Sequence, residues 1–186
     1  MFFFNTGNNA NKNIKSLVLF GLFFSWLGDV LLMQSGFKFF ILGMVAFMCT
    51  HLTYAYLFYK LHKLRRARLK EAFIAAFSML VISLVLFYFF NKSKDFAPLM
   101  IPVGVYMIAI SLMAIFAVNM LAGNYRNYKA VHFFVPGAIL FVISDGTLAI
   151  QKFIFPGTVV LSLIVMISYG IAQSLIAEGF SRSLKS

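Results

Sequence analysis

Asp29 and Asp145 are the acidic residues that lie well inside long apolar stretches of this sequence. An Asp at the centre of a membrane helix costs about 2.5–3.5 kcal/mol on insertion scales, a cost tolerated where the side chain faces a bundle interior or a cavity. The two residues are therefore expected to mark a site. Each stands beside a small residue, Gly28 or Ser144, that lets a neighbouring backbone or a ligand come close. Two carboxyl groups brought together in a low-dielectric interior cannot both ionise cheaply. One is then held protonated as a general acid, while the other stays ionised to stabilise a cation or to take a proton from water. An Asp bonded to Ser, Thr or Trp purely to fix helix packing is the competing expectation.

The elements that must position these residues follow from composition. Hydrophobic residues make up 62% of the 186, and charged residues only 11%. With a mean hydropathy of +0.91, that leaves too little polar surface for a water-soluble domain. Six apolar runs, each long enough to cross a hydrocarbon core of about 30 Å, recur along the chain. They lie near Leu17 to Met33, Phe37 to Tyr59, Ala72 to Phe90, Pro98 to Leu121, Val131 to Lys152 and Pro156 to Ala177. The runs are continuously apolar, whereas barrel strands alternate polar and apolar residues, so the fold class is an all-α, multi-pass transmembrane bundle. No linker divides the chain, and residues 1–186 read as a single integral-membrane domain.

The net charge of +11 does not point to nucleic acid, because the basic residues alternate between rich and poor loops. On one side fall Lys12, Lys15, the cluster from Lys60 to Lys70, Arg126, Lys129, Arg182 and Lys185; on the other fall Lys38, Lys92, Lys94 and Lys152. By the positive-inside rule both termini are cytoplasmic, and a bacterial inner membrane is the expected location. The N-terminal MFFFNTGNN has no basic n-region, so the first span is expected to act as an uncleaved signal anchor. The dense cluster KLHKLRRARLK is primarily a topology determinant that can also bind anionic membrane lipids.

Counting about 1.5 Å per residue from the cytoplasmic ends puts both aspartates roughly 20 Å across, at matching depth. The same count places His51 and Tyr169 about 10 Å nearer the cytoplasm, where they would line a lipid cleft rather than touch the chemistry. His51 and Tyr54 share one helix face at i, i+3, as do Tyr169 and Gln173 at i, i+4. Together with Ser144 these are the expected substrate-binding residues. A lone His or Tyr in a bundle is otherwise a satisfied core residue. Cys49 is the single cysteine, and the histidines lack metal-ligand spacing, so neither a metal nor another cofactor is expected. A faint repeat relates Gly21 to Leu32 and Gly137 to Leu148, which share G-x5-[LI]-[GS]-D-x-x-L.

Four segments in order, SWLGDVLLM (25–33), GMVAFMCTHLTY (43–54), GAILFVISDGTLAIQKF (137–153) and SYGIAQSLI (168–176), resemble the YhhN/TMEM86 family of lysoplasmalogenases. The resemblance implies a membrane-embedded hydrolase that cleaves the vinyl ether of lysoplasmalogens, with a lysophospholipid as substrate. It also implies an eight-helix pattern; six spans are counted here, beginning at what would be the third, so that the first pair is expected either to be lacking or to lie upstream of this sequence. A vinyl ether hydrolyses after protonation at its β-carbon, a task for which an Asp29 and Asp145 pair is chemically suited, as paired carboxylates are in glycosidases. A proton- or ion-coupled transporter is the alternative, since intramembrane Asp residues also serve as relay groups.

Overall fold

The computed structural model describes residues 9–61, 69–92, 96–121 and 128–185. Six helices follow in order: α1 (Asn9–Leu32), α2 (Phe37–Leu61), α3 (Leu69–Phe90), α4 (Met100–Asn119), α5 (Val135–Phe153) and α6 (Val159–Lys185). All six are long and apolar enough to cross a membrane, and the described residues contain no strand. In this setting helices satisfy every backbone group internally, which is what a hydrocarbon solvent demands. The outward faces are apolar: Phe73 and Leu84 on α3, and Val159 and Met166 on α6, are more than half exposed. A helix apolar on both its packed and its open faces belongs in lipid, so the chain is an integral membrane protein.

The expected helix positions hold, but several ends move. α1 begins at Asn9, a full two turns before Leu17, and α6 runs on to Lys185 rather than stopping at Ala177. Pro156 and Gly157 form the turn before α6, with Gly157 at a φ of 79°, so that helix starts at Val159 and not at Pro156. α5 is preceded by a π turn over Ala130–Phe134, in which the Val135 N–H bonds the Ala130 carbonyl. Pro136 explains it: the imino acid has no N–H to continue the ordinary ladder, and the register slips by one residue as it enters. Arg65, Arg66, Arg68, Lys94 and Arg126 lie outside the described residues.

α1 packs along α2, α5 along α6, and α2 along α4, with α3 held against α4 and α5. Close approach of α1 to α2 requires glycine, because a Cβ at Gly28 would stand 2.7 Å from the Phe47 ring. At Gly137 a Cβ would meet Ile176 at 2.7 Å and the Ala172 carbonyl at 3.2 Å, so α5 and α6 are seated the same way. Small residues at such crossings are how membrane helices gain van der Waals contact without a hydrophobic driving force. The core between them is aromatic, with Phe58 stacked on Phe180 at 5.6 Å and Phe134 against both.

Candidate active site

The two aspartates stand in separate polar clusters within one apolar interior. Asp145, on α5, accepts through Oδ2 from the Tyr106 hydroxyl of α4 at 2.5 Å. The same oxygen lies 2.9 Å from His51 Nε2 of α2. Tyr106 and His51 are themselves 2.9 Å apart, and the other imidazole nitrogen, Nδ1, lies 3.4 Å from the Met113 sulfur. His51 is fully buried, with its ring edge-on to Phe141 at 4.8 Å and to Tyr106 at 5.4 Å.

Asp29, on α1, accepts through Oδ2 from the Tyr169 hydroxyl of α6 at 2.7 Å. Tyr169 also meets the Ser25 hydroxyl at 2.7 Å, and Gln173 donates from Nε2 to Ser25. The Gln173 carbonyl accepts from Tyr54, whose hydroxyl is 2.8 Å away. Donation therefore runs in one direction, from Tyr54 through Gln173, Ser25 and Tyr169, and ends on the Asp29 carboxylate. Chains of this kind polarise one another and reinforce an acceptor at their end. Phe141 touches the rings of both His51 and Tyr169, the latter at 5.6 Å, and forms the wall shared by the two clusters.

A narrow cavity of about 80 Å³ meets the first cluster. Asp145, Tyr106 and Ser83 supply its polar lining, and the rest is apolar, including Leu32, Met44, Leu86, Val103 and Phe153. Leu32 and Phe153 close α1 and α5, and Phe40 and Val103 stand in the first turns of α2 and α4. The cavity thus extends from mid-bundle towards the end where the α1–α2, α3–α4 and α5–α6 links lie.

Of the expected site residues, Asp145 and His51 meet in one cluster, and Asp29, Tyr169, Gln173 and Tyr54 in the other. Ser144 turns away: it is buried and donates to the Val165 carbonyl at 3.1 Å, tying α5 to α6. The depth count is corrected, since His51 and Tyr169 bond the aspartates directly instead of lying a layer below them. It failed at α6 because that helix continues to Lys185, which at about 1.5 Å per residue moves Tyr169 about 12 Å further from the cytoplasmic end. Sequence reading did not single out Tyr106, Ser25 or Met113. The available signals were spacing: Ser25 lies four residues before Asp29, and Met113 seven after Tyr106, each pair on one helix face.

Comparison with known proteins bears on this arrangement. Over 163 residues the chain is 31% identical to the bovine protein named lysoplasmalogenase TMEM86A, an alignment covering 86% of this chain and 63% of the relative. The human protein of the same name is 32% identical over 164 residues, with the same coverage. The chain thus spans a little under two thirds of the length of these curated relatives. No solved structure matches it. The YhhN family model matches residues 1–180, nearly the whole chain and both polar clusters, and the chain belongs to the YhhN family.

Proposed function

We propose that this chain is a membrane-embedded hydrolase that cleaves the vinyl ether bond of lysoplasmalogens, releasing a fatty aldehyde and a glycerophospho-alcohol. The observation that carries the reading is the apolar cavity ending on Asp145 and Tyr106, with a second carboxylate, Asp29, across the shared Phe141 wall. A lysoplasmalogen has the matching form: a long hydrocarbon chain whose reactive bond sits at the junction with its polar part. The hydrocarbon chain enters the cavity and brings the vinyl ether to Asp145, with Asp29 behind the Phe141 ring. The relatives named lysoplasmalogenase support the same substrate class.

The reaction needs an acid, a water and a base. The acid delivers a proton to the β-carbon of the vinyl ether, and the ether oxygen's lone pair moves in to give an oxocarbenium ion. Water adds to the cationic carbon and loses a proton to the ionised carboxylate, forming a hemiacetal. That hemiacetal loses its hydroxyl proton to the now ionised Asp145 and expels the glycerol oxygen, which takes the proton held on Asp29, so the aldehyde forms and both carboxyl groups return to their starting states. One water is consumed and no net proton is gained or lost. Asp145 is assigned as the acid and Asp29 as the ionised partner, because Asp29 terminates a chain of donors and a carboxylate that only accepts is best ionised.

The test is incubation of purified protein with lysoplasmalogen and with its saturated alkyl analogue, with aldehyde as the readout. Aldehyde is expected from the first only, because an alkyl ether has no carbon to protonate. In Asp29→Asn or Asp145→Asn the rate should fall by about 10²-fold or more, the usual weight of an acid–base group. Cleavage of both ethers, or full activity in either folded variant, would refute the assignment.

A further inference from the structure

The contacts of His51 bear on where the acid's proton is kept, a question that rests on the function proposed above. The groups facing this imidazole are the Asp145 carboxyl, the Tyr106 hydroxyl, the Phe141 ring and the Met113 thioether. A thioether sulfur has lone pairs and no proton, so it can only accept. With Nδ1 3.4 Å from that sulfur, a bare Nδ1 would set two lone pairs against each other at a fully buried position. A protonated Nδ1 makes a hydrogen bond there instead. In the neutral ring this leaves Nε2 as the acceptor, 2.9 Å from Asp145 Oδ2. Tyr106 makes its shorter contact, 2.5 Å, to Asp145 and places its single hydrogen there, its distance to Nε2 being 2.9 Å. The donor to Nε2 must be the Asp145 carboxyl.

We propose that Met113 and His51 are positioning residues: the thioether holds His51 with its proton on Nδ1, and Nε2 then keeps a proton on the line to Asp145 Oδ2. Whether that proton rests nearer the oxygen or the nitrogen, the Asp145–His51 pair carries one more proton than it would with an Nε2–H imidazole beside a carboxylate. The pair is therefore loaded as an acid before substrate arrives. Asp29, fed only by donors, has no such store. The second histidine nitrogen fixing what the first can do is a recurrent device for orienting an imidazole.

The tautomer can be read without substrate, by nitrogen NMR of histidine-labelled protein in detergent micelles, with the His51 signals identified by their loss in His51→Gln. A proton on Nδ1 is expected; a bare Nδ1 with the proton on Nε2 overturns the proposal. Kinetics give a second arm. Met113→Leu keeps an apolar side chain of similar size and removes the acceptor, whereas Met113→Gln restores an acceptor with a polar group. If Met113 were only packing, Leu would be harmless and Gln harmful. The proposal requires the reverse: kcat falls by about 10-fold or more in Met113→Leu with KM little changed, and Met113→Gln recovers both the rate and the Nδ1 proton. A wild-type rate in Met113→Leu overturns it. Failure of the wild-type protein to release aldehyde, with Nδ1 protonated as expected, refutes the lysoplasmalogenase reading and not the proton placement.

Discussion

At the scale of single residues, two carboxylates are each served by a tyrosine from another helix, Asp145 by Tyr106 and Asp29 by Tyr169. Gln173 shows how tightly such groups are bound to folding. Its carbonyl is the acceptor for Tyr54, a side chain with no exposed surface. Gln173→Leu would strand that hydroxyl, and an unpaired buried donor costs about 1–3 kcal/mol. A loss of stability of that size is expected in chemical denaturation of the single variant. Adding Tyr54→Phe removes the stranded group, so the double variant should regain part of the loss. Additive losses in the two-residue cycle would show that the hydrogen bond is not what couples the positions.

At the scale of the helix, α5 carries both Asp145 and part of the cavity wall around it. Gly146 follows Asp145, lines the cavity, and has nothing within 4 Å of where a Cβ would stand. Unlike Gly28 and Gly137 it is not needed for helix contact, and a glycine in mid-helix costs about 0.8–1.0 kcal/mol relative to alanine. The open space beside it is therefore of use to whatever fills the cavity. Gly146→Leu should leave thermal stability unchanged or raised while obstructing the hydrocarbon chain. Turnover of long-chain lysoplasmalogens is expected to fall by about 10-fold or more relative to short-chain ones. Equal losses at every chain length would place the tail elsewhere.

At the scale of the whole molecule, orientation decides which leaflet the cavity approaches. Lys12, Lys15, Lys60, Lys70, Lys129 and Arg182 stand at one set of helix ends, and Lys38, Lys92 and Lys152 at the other. The cavity extends towards the second, basic-poor set. The positive-inside rule predicts that this is the side away from the cytoplasm. A reporter fused after Lys185, or inserted near Arg66, should register the cytoplasm, and one near Lys94 the opposite compartment. A cytoplasmic signal near Lys94 would reverse the direction assigned to the cavity.

The sequence by itself determined the six spans, the membrane environment and the identity of the two aspartates, because these follow from how apolar each stretch is and from the cost of a carboxyl group in hydrocarbon. Family membership was legible too, in four short segments that keep their order. What only the tertiary structure decided is who meets whom. His51 and Tyr54 share a face of α2, yet one bonds Asp145 and the other Gln173, since a shift of one helical turn points two long side chains at different neighbours. Tyr106 was hidden in α4, an almost wholly apolar run in which the other hydroxyl, that of Ser111, bonds its own helix at the Met107 carbonyl. Ser144 looked like part of the site and was instead spent on the α5–α6 contact. Helix pairing in a bundle is set by glycine-sized gaps and ring contacts between segments far apart in the chain, and one-dimensional spacing does not carry that information.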